Sequence, residues 1–198
     1  MAKNIFMSFL SNMNRINFTA THIKDVPVLK RDKDTYKNEK VALVELDKND
    51  SSDLKALYKA SVNWNLNGAT HISSIFFDAT KDNNYPNVEK EHYLAITKQK
   101  NKFDNLRAED IIGVALFSEL DSCDNELSYL EVRPDLKTQR NGQREYKKIG
   151  TAMLDFLKET YNQKDIFVNS VPSAIDFYKK NNFESLSDNF QSQMYYFV

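Results

Sequence analysis

Cysteine, glycine, proline, long hydrophobic runs and an excess of charge are all scarce in this chain, and each scarcity removes a class of explanation. The single cysteine, Cys123, excludes an internal disulfide and a thiolate zinc cluster. It sits in the polar run 121–125, which reads as a turn, and is expected to be inert. The histidines, His22, His71 and His92, are isolated, with no metal-ligand spacing and no Ser/His/Asp arrangement, so no metal is expected. The apolar stretch at residues 5–10 is too short and broken for a membrane span and makes a poor signal peptide. Residues 1–15 are therefore expected to form a flexible tail, and no membrane partner is expected. The 27 Lys and Arg nearly cancel the 28 Asp and Glu, leaving a net charge of -1. Without a strong field there is no pull on polyanions, and no nucleic-acid partner is expected. A cytoplasmic setting fits this composition.

What the chain does have is apolar surface in regular patterns. Hydrophobic residues make up 41% of it, with 13 Phe and 10 Tyr, enough for a real core. Residues 16–30 read as extended chain, 31–40 as a polar loop, and 41–46 as an apolar strand. Asp47 to Ser52 offers helix caps, and Leu54, Leu57, Tyr58 and Val62 follow at helical spacing. Residues 63–68 interrupt that helix, and a second spans 69–79. A loop over 82–90 precedes a strand at 92–97, a charged connection over 98–110, and a hairpin of strands 111–120 and 126–132. The helix that starts at Ile149 repeats Met153, Phe156, Leu157 and Tyr161 on one face. A buried strand at 165–171, a short helix at 173–181 and a last strand at 194–198 close the chain. The order predicts a mixed α/β (α+β) fold in a single domain over 16–198.

The chemistry concentrates in two segments. In the first, the strand Leu130-Glu131-Val132-Arg133-Pro134 leads through a basic stretch to Lys147-Lys148-Ile149-Gly150-Thr151 at a helix start. A helix N-terminus presents unpaired amides and partial positive charge, which suits a phosphate. Gly150 removes a side chain where the backbone must approach an anion, and Arg140, Arg144, Lys147 and Lys148 add charge. In the second, Asn169 ends a strand that feeds a helix bearing Phe177 and Tyr178 on its inner side.

These segments resemble the GNAT superfamily of N-acetyltransferases. Its signature is a strand of the form Leu-x-Val-x-Pro, then Arg/Gln-x-x-Gly-x-Gly/Ala opening a helix, and later Ala-x-x-Phe-Tyr-x-x-x-Gly-Phe. The matches are Leu130, Val132, Pro134, Ile149, Gly150, Thr151, Ala152 and Leu154, then Ala174, Phe177, Tyr178 and Phe183. The departures are Glu145 in place of Arg or Gln, Lys148 in place of the first glycine, Asn182 in place of the last, and a longer loop after Pro134. Asn tolerates a left-handed backbone. Lys148 must turn its side chain away from the pyrophosphate path.

The resemblance implies a GNAT-like, mostly antiparallel central sheet flanked by helices. It implies transfer of an acetyl group from acetyl-CoA to a primary amine, on a small molecule or a protein, by direct attack in a ternary complex. The alternative is a catalytically degenerate acyl-CoA-binding or protein-interaction module, with Glu145 and Lys148 as its evidence. The implied cofactor residues are Val132, Lys147, Lys148, Ile149, Gly150, Thr151, Asn169 and Phe177, with the Val132 N–H holding the carbonyl oxygen. Tyr178 is the implied acid. Glu126 is the implied base, with Glu131 and Glu119 as rivals. Tyr58, Trp64 and His71 fall where family members shape the acceptor pocket. Neither the acceptor's identity nor the oligomeric state is legible.

Overall fold

The computed structural model describes residues 19–66, 71–81, 87–121, 124–137, 144–187 and 191–198. The expected tail, Cys123 and Arg140 lie outside them. The fold is the expected mixed α/β one: a nine-stranded sheet, mostly antiparallel, with helices on both faces. In chain order the strands are β1 (Thr21–Asp32), β2 (Thr35–Leu46), β3 (Val88–Thr97), β4 (Ile111–Leu120), β5 (Asn125–Val132), β6 (Tyr146–Lys147), β7 (Ile166–Asn169), β8 (Glu184–Ser185) and β9 (Gln193–Tyr196). The helices are α1 (Ser51–Leu66), α2 (Ile72–Ala79), α3 (Pro134–Lys137), α4 (Ile149–Thr160) and α5 (Ile175–Lys180). Across the sheet the order is β6-β1-β2-β3-β4-β5-β7-β9-β8.

Successive strand residues face opposite sides, so one strand feeds two cores. On β2, Val41 and Leu43 join Leu94, Ile96, Phe117 and the apolar stripe of α4 (Ile149, Met153, Phe156, Leu157). Ala42, Val44 and Leu46 turn the other way, to Leu54, Leu57 and Trp64 of α1 and Ile72, Ile75 and Phe76 of α2. Trp64 is thus a core residue, which is why α1 runs on to Leu66 where the sequence suggested a break. Asp50 caps α1, its Oδ1 accepting from the N–H groups of Ser52 (2.8 Å) and Asp53 (3.0 Å).

The predicted loop over 31–40 is corrected. Residues 31–32 and 35–40 belong to a long β1–β2 hairpin whose turn is Lys33-Asp34, with Lys33 at φ 55°. No glycine marks that turn, and the outer half of the hairpin is mostly exposed, so no apolar alternation betrays it. The predicted strand 165–171 ends at Asn169, and the helix predicted over 173–181 is a 3₁₀ turn, Pro172–Ala174, leading into α5. β6 and β8 were not foreseen. Each is two residues long, too short for periodicity to reveal.

A buried polar cluster closes the far end of this layer. On β3, His92 Nδ1 lies 2.9 Å from Glu45 Oε1 and its Nε2 lies 2.7 Å from Glu119 Oε1. Bonding to His92 holds the Glu45 carboxyl below its usual value. Glu119 is engaged here. No helix among the described residues is long and apolar enough to cross a membrane.

Candidate active site

The site begins with a failure of pairing. β5 and β7 are parallel neighbours, but their register holds only Asn125 against Ile166 and Glu126 against Phe167. Beyond that point β7 continues beside β9, through Asn169 opposite Gln193, and β5 has no further strand partner on that side among the described residues. Between the diverging strands lies a cleft of about 490 Å³. Leu130, Glu131 and Val132 form one wall and Val171, Ala174, Phe177 and Tyr178 the other, while residues 144 and 146–151 border it from the side of α4.

An irregularity in β5 shapes that wall. Phe117 pairs with Leu127 and Leu116 with Tyr129, so Ser128 is an extra residue. The bulge reverses the alternation: Leu127 faces the α4 core, Tyr129 packs on the other face, and Leu130 and Val132 return to the α4 side. At the end of the strand the Arg133 N–H donates to Ile112 O at 3.1 Å. Because an antiparallel ladder alternates, the Val132 N–H then points away from β4, toward the gap that β7 has vacated.

The start of α4 is seated by two small residues. A Cβ on Gly113 of β4 would lie 2.7 Å from Ile149 Cγ2, so the absence of a side chain there lets the first turn of α4 rest on the sheet. A Cβ on Gly150 would lie 2.9 Å from Phe177 Cζ. Gly150 therefore makes room for the Phe177 ring. The first helical bond of α4 runs from the Ala152 N–H to Lys148 O at 2.9 Å. The N–H groups of Ile149, Gly150 and Thr151 precede that ladder and have no acceptor within the helix.

The departures from the family pattern have local explanations. Lys148 occupies the N-cap position of α4 at φ 65° and ψ 16°, the region a glycine enters freely. The exposed lysine borders the cleft. Asn182 likewise takes φ 64°, and the next amide, of Phe183, donates to Tyr178 O at 3.1 Å, closing α5. Glu145 lies 4.0 Å from the Arg133 guanidinium, which also bonds Asp135 (2.7 Å) and Glu109 O (2.9 Å). Glu145 thus stands beside the end of β5.

Most of the residues expected at the site come together. Tyr178, Glu131, Val132, Lys147, Lys148, Ile149, Gly150, Thr151 and Phe177 all line the cleft. Tyr178 is 6% exposed, its ring wedged between Phe177 and Phe183 at 5.2 and 5.4 Å. Burial, with the charge of Glu131 added, lifts its hydroxyl well above the usual tyrosine range. Glu131, 7% exposed, is the one carboxylate among the described residues of the lining. Glu126 is not there. It sits at the closed end of the fork, roughly 13 Å along the strand from Leu130. Asn169 is paired into the β7–β9 ladder and also lies outside the lining. On the opposite face, Tyr58 packs on Phe76 (5.3 Å) and His71 lies 6.1 Å from Tyr129.

One participant carries no mark in the sequence. Tyr36, on the outer half of β2, exchanges two hydrogen bonds with the backbone of Arg144: its hydroxyl donates to the carbonyl at 2.8 Å and accepts from the N–H at 3.1 Å. Lys147 Nζ lies 3.8 Å above its ring. The partners are 108 residues apart.

No protein-family model matches the chain, and no curated protein matches it. Among solved structures it is similar in fold to Escherichia coli ElaA, with 12% identity, 78% of this chain and 97% of that one covered, and a TM-score of 0.44. It is also similar to a chain of a KacTA–DNA complex, with 15% identity over 55% and 68% of the two chains and a TM-score of 0.39. A third is a point mutant of the toxin AtaT bound to the C-terminus of the antitoxin AtaR and to acetyl-CoA, with 11% identity over 54% and 67% and a TM-score of 0.36.

Proposed function

We propose that this chain is an acyl-CoA-dependent N-acyltransferase of the GNAT type, acting on a primary amine. The observation that carries the reading is the fork between β5 and β7, with the N-terminal amides of α4 at its border and Tyr178 and Glu131 in its walls. The chain's own groups fit a thioester carrier with a phosphate end. Arg144 and Lys148 are exposed and mark the mouth, whereas Tyr178 and Glu131 are buried and mark the depth. The amides of Ile149, Gly150 and Thr151, with Lys147 and Lys148, would hold the phosphates. When bound, acetyl-CoA would supply the activated acyl group.

The rest is a matter of donors and protons. The inward Val132 N–H is a fixed donor in the gap, placed to hold an oxygen on which negative charge develops. Tyr178 Oη keeps its proton at neutral pH, because burial and Glu131 both disfavour the phenolate, and it can therefore deliver that proton into the cleft. Glu131 replaces Glu126 as the carboxylate in position to accept a proton from an incoming ammonium. The alternative, a catalytically degenerate module, would rest on Glu145 and Lys148, and Lys148 takes a left-handed backbone that a glycine enters freely.

The first test is thermal unfolding with acetyl-CoA, NAD and ATP. Acetyl-CoA should raise the midpoint and the other two should not; equal shifts, or none, would sink the reading. An amine panel then identifies the acceptor. Tyr178→Phe should lower kcat by about 10²-fold with the acetyl-CoA Kd unchanged, the size expected for losing a general acid. Unchanged turnover in that variant would remove Tyr178 from the chemistry.

A further inference from the structure

We propose that Tyr36 is a positioning residue that fixes the cationic lip of the cleft and thereby tunes the site for the phosphate end of its ligand. This rests on the acyl-CoA reading above. Tyr36 stands opposite Arg31 in the β1–β2 hairpin. With one hydroxyl it satisfies both the N–H and the carbonyl of Arg144, and with its ring it supports the ammonium of Lys147. Arg144 and Lys147 both line the cleft. A single side chain thus sets the backbone of one lip cation and the head group of another.

The surrounding ladder completes the arrangement. The Arg31 N–H donates to Glu145 O at 2.8 Å, and Leu29 and Lys30 pair with Lys147 and Tyr146. The segment before α4 is therefore an edge strand held on the hairpin. A free lysine would lose its rotamer freedom on binding an anion, whereas one already seated on an aromatic face loses less. The ring covers one side of the ammonium, which has three donors, and leaves the others for a ligand. If Tyr36 only stabilised the hairpin, its removal would affect every ligand of the cleft alike. If it positions Lys147 and Arg144, its removal affects phosphate-bearing ligands alone.

The experiment compares acetyl-CoA with S-acetylpantetheine, which carries the same thioester arm without phosphates, by calorimetry on the wild type, Tyr36→Phe and Tyr36→Leu. Tyr36→Leu should weaken acetyl-CoA binding by about tenfold, the order of one cation–π contact plus the loosened lip. Its affinity for S-acetylpantetheine should stay within about twofold of the wild type. Tyr36→Phe, which keeps the ring, should fall between. In a Lys147→Ala background most of the Tyr36→Leu penalty should disappear, and that cycle decides the matter even where S-acetylpantetheine binds too weakly to measure. Equal weakening of both ligands, no weakening, or a full penalty without Lys147 overturns the proposal and leaves the acyltransferase reading standing. A wild type that binds no acetyl-CoA overturns both.

Discussion

Asp53 is buried to 1% exposure on α1, with Oδ2 accepting from the Asp47 N–H at 2.9 Å and Oδ1 without a hydrogen-bond partner among the described residues. Burial, against the help of backbone donors, pushes its carboxyl up from 3.8 to about 7. The folded state therefore holds this proton more tightly than the unfolded chain does. Its contribution to stability is fully present below about pH 4, is lost as the pH rises toward 7, and stays lost above that. Asparagine keeps an acceptor for Asp47 and cannot ionise. Asp53→Asn should therefore raise the unfolding free energy by about 2 kcal/mol at pH 8 and by less than about 0.5 kcal/mol at pH 4. Urea unfolding at the two pH values checks this, and an equal gain at both would show that ionisation is not the cause. None of this was legible in the sequence, where Asp53 merely follows the capping stretch Asp47 to Ser52.

At the scale of elements, the contact between α4 and α5 is the most exposed to test. Gly150→Ala places a methyl 2.9 Å from the end of the Phe177 ring. Overpacking costs about 1–3 kcal/mol, only partly offset by the roughly 1 kcal/mol that alanine gains over glycine in a helix. The variant should unfold at lower temperature and bind acetyl-CoA more weakly, and Phe177→Leu in the same chain should restore most of the stability. A double variant as unstable as the single one would place the clash elsewhere. Elements such as α4 and β4 were legible because their apolar stripes are long and regular. The outer β1–β2 hairpin was not, because little of it is buried and its turn uses a left-handed lysine. The Ser128 bulge was equally silent, since it shows only in the partner's register. Most residues of the two motifs line the cleft, as their closeness in sequence allowed one to expect. The contact of Tyr36 was not legible because it spans 108 residues, and the place of Glu126 outside the lining was not, because strand position alone does not say where a neighbour diverges.

The described residues build two cores on one sheet, and one of the two borders the cleft. The core that joins α4 to β7, β9 and α5 holds both walls of the cleft, while the core under α1 and α2 lies across the sheet. On the cleft side, β7, β9 and β8 meet the rest of the sheet through only two rungs of the β5 ladder. A ligand that fills the fork therefore ties two otherwise lightly paired parts together, and binding only the folded state must add to stability. Hydrogen exchange should resolve where. Saturating acetyl-CoA should slow exchange on both walls, at 130–132, 149–151 and 171–178, and leave α1 and the Lys33-Asp34 turn unchanged. Protection confined to α1 and α2 would put the ligand on the other face. Protection of 130–132 without 171–178 would mean that β7 and α5 do not form a wall at all, and the fork would then be a feature of the fold without a part in binding.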